Sequence, residues 1–177
     1  MNLHLIDRQR TVYQNASECR CMCPSCPIRS GQPIIMSETL LNGRRFRTFN
    51  VVDDFNREAL HIEIDTSIIS PRLVRVFERL RDQHGLPQVL RTDNGPKFLG
   101  ETFTYWAKEA GIAIQYIQPG KPNQNGYVER FNRTYRHELL DQYLFASLED
   151  VREATYWWLL EYINAAECEA CYSMLQS

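Results

Sequence analysis

What this chain lacks narrows the field first. No run of eighteen apolar residues occurs, and the opening MNLHLIDRQR carries charges where a secretory signal needs an apolar block. Neither a membrane-spanning helix nor an export signal is expected, which places the chain in the cytoplasm with its thiols reduced. An excess of positive charge is missing too: 20 Lys and Arg stand against 22 Asp and Glu, for a formal net charge of −2. A nucleic-acid partner therefore has to be held by a local basic patch, because the global charge offers no attraction. Internal repeats and low-complexity tracts are absent. At 177 residues and 44% hydrophobic, the chain has enough material for one globular domain and too little for two.

Three unequal parts follow from the patterning. Residues 1–36 have neither helical nor strand periodicity and hold four of the six cysteines, so this segment is expected to be poorly ordered. Residues 37–164 alternate strands with helices and form the core, and residues 165–177 read as an irregular tail. Within the core, RRFRTFNVVDDF and EALHIEID form a strand hairpin. Ser70 and Pro71 open a helix as cap and first position, with Leu73, Val74, Phe77 and Leu80 on one face and Gly85 past its end. PQVLRTD is the next strand, ending at Asp93. A helix through Phe103, Trp106, Ala107 and Ala110 then stops at Gly111, before a short strand IAIQYIQ. PGKPNQNG is a loop, residues 127–140 form a helix, and Ser147 with Asp150 makes a capping box for a last helix through Trp158 to Tyr162. The expected fold class is α/β: a mixed sheet, its second strand central, with helices packed on it.

Two carboxylates stand out. Asp93 ends a strand on an Asn94-Gly95 turn, and ligands of such sheets gather at the carboxyl ends of strands. Glu129 follows after 35 intervening residues, in the first turn of a helix entered from the Gly- and Pro-rich loop. With no His or Cys beside them, the pair suits a hard cation with oxygen ligands, Mg²⁺ or Mn²⁺.

DNGPKF followed at this spacing by ERFNRTYRHEL resembles the last two carboxylates of the DDE transposase and retroviral-integrase family. NGRRFRTFNVVDDFNREALHIEID, with IQPGKPNQNGYVERFNRTYRHELLDQYLFASLEDVR, is similar to the integrase-type catalytic core of bacterial insertion-sequence transposases. The resemblance covers about residues 36–163. It implies a ribonuclease H-like fold and two-metal phosphodiester chemistry: hydrolysis at a DNA 3′ end, then attack of that 3′-hydroxyl on target DNA. It also implies that Asp93 and Glu129 are catalytic metal ligands, that DNA is the partner, and that further transposase subunits join as a homo-oligomer near the nucleoid.

The family's first carboxylate belongs to a strand like Trp-x-x-Asp-Phe-Met-x-Asp, and here the matching residues are PIIMSETL. Ile34 takes the place of the catalytic Asp and Glu38 that of the later acid. Asp53 and Asp54 match the family's hairpin turn, a structural role. Lys97 stands where the family commonly has Glu. The ends of the chain depart from the family as sequence translated out of frame would, and upstream DNA-binding helices are not seen. The expectation is a degenerate or truncated transposase copy with impaired catalysis; the alternative is a noncatalytic remnant that keeps the fold and binds DNA or a transposase subunit.

A local basic patch does exist. Counted from Glu129, Arg133 and Arg136 fall at i+4 and i+7, on one helix face. With Arg130, the flanking His137 and Lys121 of the loop, they are the candidate phosphate contacts. Tyr156, Trp157 and Trp158 read as a packing face rather than a base-stacking platform. The C-x-x-C pairs Cys23/Cys26 and Cys168/Cys171 have zinc half-site spacing, but 141 intervening residues argue against a zinc ribbon.

Overall fold

A computed structural model describes residues 28, 30–55, 58–117 and 126–174, with side chains through residue 165. The chain divides into a main unit, Pro27–Ile163, and a second drawn from the two chain ends, of which only Asn164 to Met174 are described. Most of the segment expected to be poorly ordered, along with Cys23, Cys26 and Lys121, lies outside the described residues.

Five strands form one sheet: β1 (Ser30–Thr39), β2 (Arg45–Asp53), β3 (Glu58–Asp65), β4 (Val89–Thr92) and β5 (Ala113–Tyr116). Their order is β3-β2-β1-β4-β5, with β1, β2 and β3 antiparallel and β4 and β5 added in parallel. The mixed sheet is as expected, but the middle belongs to β1 rather than to the second strand. β1 presents Met36 to one core and Ile35 to the other, so both of its faces are covered. It also begins at Ser30, because pairing with β2 and β4 holds Gly31 and Pro33 extended although both weaken a strand pattern.

Helices cover both faces. On one side lie α1 (Ser70–His84), α2 (Pro96–Leu99) and α3 (Glu101–Glu109), which bury Leu73, Phe77, Phe98 and Phe103 against Phe49, Val51 and Leu90. On the other lie α4 (Gly126–Tyr135), continued by a π-helical turn Arg136–Leu140, and α5 (Leu148–Met174). There Val128, Phe131, Tyr135 and Trp158 meet Met36, Phe46, Val52 and Ile62. A bulge between Val51 and Val52 leaves Leu60 unpaired and shifts the alternation, which is why Ala59 and Ile62 share a face despite their spacing.

Local signals account for most helix ends. The capping box forms as expected: the Ser147 amide donates to Asp150 Oδ2 at 3.0 Å and the Asp150 amide to Ser147 Oγ at 3.2 Å. Gly85 ends α1 at φ 84°, a conformation that favours glycine. Two expectations are corrected. Ile69, not Ser70, is the cap of α1, since the Ser70 hydroxyl donates to the Lys97 carbonyl at 2.9 Å and ties α1 to α2. And α5 runs on to Met174 where an irregular tail was expected, because nothing from Ala165 to Met174 is Gly or Pro.

One buried acid anchors α1 to the sheet. Glu63 accepts from Arg72 at 2.7 Å and Arg79 at 3.3 Å and pairs with His61 at 3.1 Å. The His61 hydrogen bond, aided by both arginines and opposed by burial, lowers its pKa from the ordinary 4.5 to about 2. A depressed carboxyl stabilises the fold fully above its unfolded pKa, and that stability is lost as pH falls toward the folded value. The urea midpoint should therefore drop as pH falls from 4.5 to 2, and less steeply in Glu63→Gln; equal pH dependence in both proteins would contradict this account.

Candidate functional site

Asp93 follows β4 directly and is exposed. Its Oδ1 accepts the Gly95 amide at 2.8 Å, closing a side-chain turn that fixes the carboxylate at the strand end. A Cβ at Gly95 would lie 2.7 Å from that oxygen, so the close approach requires glycine. Asn94 reaches across to the Ile117 carbonyl at 3.5 Å, a long contact toward the end of β5. The Asp-Asn-Gly order thus has one job per residue.

β1 and β4 pair in parallel, Ser30 beside Val89 and Gly31 beside Leu90, so both strands run toward the same end of the sheet and Asp93 follows directly on β4. Ile34 packs against the core under α4.

Polar contacts seat α4 and its π-helical continuation on β1 and β2. Arg136 donates twice to Glu38 Oε1, at 2.9 and 2.5 Å, and Asn132 Oδ1 accepts from Asn50 Nδ2 at 2.7 Å. The same Asn50 amide lies 3.3 Å from the Met36 sulfur. Val128 belongs to the cluster that Ile34 packs against, and Glu129 is exposed in the first turn of α4.

The basic residues fare differently from one another. Arg130 and Arg133 are exposed, and among the described residues neither side chain has a bonded partner. Arg136 is held by Glu38, a pairing that sequence spacing could not reveal because 98 residues separate the two. Glu138, on the same π-helical turn as Arg136, accepts from the Trp158 indole at 3.0 Å. Lys97 sits in α2, its pKa lowered first by burial and then by nearby Arg47, with Asp93 opposing both. Trp158 is buried in the core as expected, whereas Tyr156 is exposed.

Asp53 and Asp54 take no part in the site. Asp53 Oδ1 accepts the Phe55 amide at 3.0 Å, and Asp54 pairs with Arg91 at 2.7 Å. Asp53 lies opposite Gly31, three residues from the Ile34 level, or about 10 Å along the strand. Among the described residues no group of three or more His, Cys, Asp or Glu could hold a metal.

The latch between Asn50 and Asn132 has a measurable consequence. Both residues are buried, so Asn132→Ala strands the Asn50 amide and should cost about 1–3 kcal/mol. Arg133→Ala on the exposed side should stay within about 0.5 kcal/mol. Urea unfolding of the two variants checks both values.

With this geometry in place, comparison with known proteins is informative. Two family models, both of the integrase core domain, match residues 34–122 and 110–165. An uncharacterized 39.2 kDa protein of insertion element IS476 from Xanthomonas euvesicatoria is 37% identical over 134 residues, 76% of this chain and 39% of the relative. An uncharacterized 31.7 kDa protein of insertion element IS407 from Burkholderia multivorans is 35% identical over 139 residues, 78% of this chain and 50% of the relative. The chain thus spans half or less of the length of these relatives. Among solved structures, the HTLV-2 integrase catalytic core in complex with magnesium superposes with a TM-score of 0.59 at 21% identity, over 73% of this chain and 84% of that one. That likeness carries the fold: a ribonuclease H-like core. The chain belongs to the integrase core domain family, alongside proteins of bacterial insertion elements.

Proposed function

We propose that this chain is a DNA-transposition core whose catalytic step is impaired, leaving DNA binding as the function it performs unaided. The observation that carries the proposal is Ile34. In the family pattern this strand carries the first carboxylate, while Asp93 follows β4, the parallel neighbour of β1, and Glu129 stands exposed in the first turn of α4; these support the reading that a third carboxylate at position 34 would complete a metal site. An alkyl group donates no oxygen, and Ile35 and Met36 offer none either. Asp53 and Asp54, the other candidate ligands, are engaged elsewhere.

DNA is the partner that the remaining surface favours. Arg130 and Arg133 project from α4 beside Glu129, and Lys121 precedes them in the loop; we assign them to phosphate contacts, with Arg136 contributing less because Glu38 already holds it. Such binding needs no divalent ion and tolerates any sequence. No helix among the described residues is long and apolar enough to cross a membrane, and we place the chain with DNA in the bacterial cytoplasm, assembling with further transposase subunits.

Restoring the ligand tests the reading. Ile34 is only partly buried, so an Asp there keeps contact with water. Ile34→Asp should bind Mn²⁺ at least tenfold more tightly by calorimetry, and it should gain Mn²⁺-dependent strand transfer on element-end DNA that the parent chain lacks. Strand transfer by the unmodified chain, abolished by Asp93→Asn or Glu129→Gln, would overturn the proposal. Separately, Arg133→Ala should lower the salt slope of DNA binding by about 0.9, the value for one phosphate contact.

A further inference from the structure

The arginines of the β1–β2 hairpin have no task in the fold or in the site described above. Arg44, Arg45 and Arg47 are all exposed, and among the described residues no acidic side chain is bonded to any of them. The acids that could neutralise them are occupied. Glu38, opposite Phe46 in the register, is held by Arg136. Asp65, directly opposite Arg47, is held by Arg72.

Their position matters as much as their freedom. β1 ends at Thr39 and β4 ends just before Asp93, and the two strands are parallel, so the hairpin and the Asp93 turn lie at the same edge of the sheet. Arg47 is level with Ser37, three residues beyond the Ile34 level and about 10 Å along the strand. It has the parity of Phe49, which faces α1 to α3, whereas α4 with Arg130 and Arg133 lies on the opposite face. Lys97 of α2 is close enough to Arg47 for the guanidinium to disfavour its charge. Like charges gathered at one edge destabilise the free chain and are relieved by an outside anion.

The geometry points to a second DNA-backbone contact, formed by Arg44, Arg45, Arg47 and Lys97 on the far side of the Asp93–Glu129 edge from the α4 arginines. A polyanion lying across this edge meets cations on both sides, which a single small anion cannot do. The inference rests on the DNA-binding reading above and adds to it a strip on a different element. Each arginine is expected to neutralise one phosphate.

Anisotropy titrations of a duplex across a salt series, with the full chain, distinguish the two. Arg44→Gln/Arg45→Gln/Arg47→Gln should lower the salt slope by about 2.7, three contacts at about 0.9 each, and this loss should add to that of Arg133→Gln. A parental slope in the triple variant, alongside a reduced slope in Arg133→Gln, would refute the hairpin strip and leave the α4 contact standing. Parental slopes in both would refute both. Since the charges are exposed, circular dichroism and the urea midpoint should match the parent. Should the triple variant misfold, Arg45→Gln and Arg47→Gln singly should each lower the slope by about 0.9, and unchanged slopes in both would refute the strip.

Discussion

The parallel pairing of β1 with β4 is the constraint on which the site depends. β4 is four residues long and joins β1 near the start of that strand. The join is tight: a Cβ at Gly31 would come within 2.8 Å of Leu90 and 3.3 Å of Pro87. Because the pairing is parallel, both strands run toward the same end of the sheet, where Asp93 follows β4. The strand is held in place from one face by an aromatic group in which Phe77 contacts Phe49, Phe103 and Trp106, and Phe98 contacts Phe49 and Phe103. Aromatic contacts of this kind each add about 0.5–1.5 kcal/mol beyond area burial, which is how a four-residue strand keeps its position.

The two faces of the sheet divide the work. The face under α1 to α3 is apolar where it is buried apart from Glu63, held by Arg72 and Arg79, and Thr92. The face under α4 contains Thr48, Asn50 and Asn132 among its buried residues, and Ser30, Thr48 and Asn50 each keep a side-chain oxygen without a hydrogen bond among the described residues. Unsatisfied buried groups cost about 1–3 kcal/mol each. α4 is seated on this polar layer by the Asn50–Asn132 bond as well as by Phe131, Tyr135 and Trp158.

Charge is organised in the same local way. The chain carries a net −2, yet its acids near the site are consumed internally: Glu38 by Arg136, Asp54 by Arg91, Glu63 and Asp65 by Arg72. Unpaired cations then collect on α4 and the β1–β2 hairpin, at one sheet edge.

Short-range chemistry made some of this readable from the amino-acid order alone. An Asp before Asn-Gly at a strand end, a Glu in the first turn of a helix, and a Ser-x-x-Asp capping box each depend on residues within a few positions, and the structure places all three as expected. The centrality of β1, its start at Ser30, the transfer of the Ser70 hydroxyl from cap to α2, and the capture of Arg136 by Glu38 were decided only by tertiary structure. In each of these the deciding partner is distant in sequence, 27 residues for Ser70 and 98 for Arg136. A side chain's local pattern states what bonds it can make, but which bond it does make is settled by whichever partner packing brings within about 3 Å.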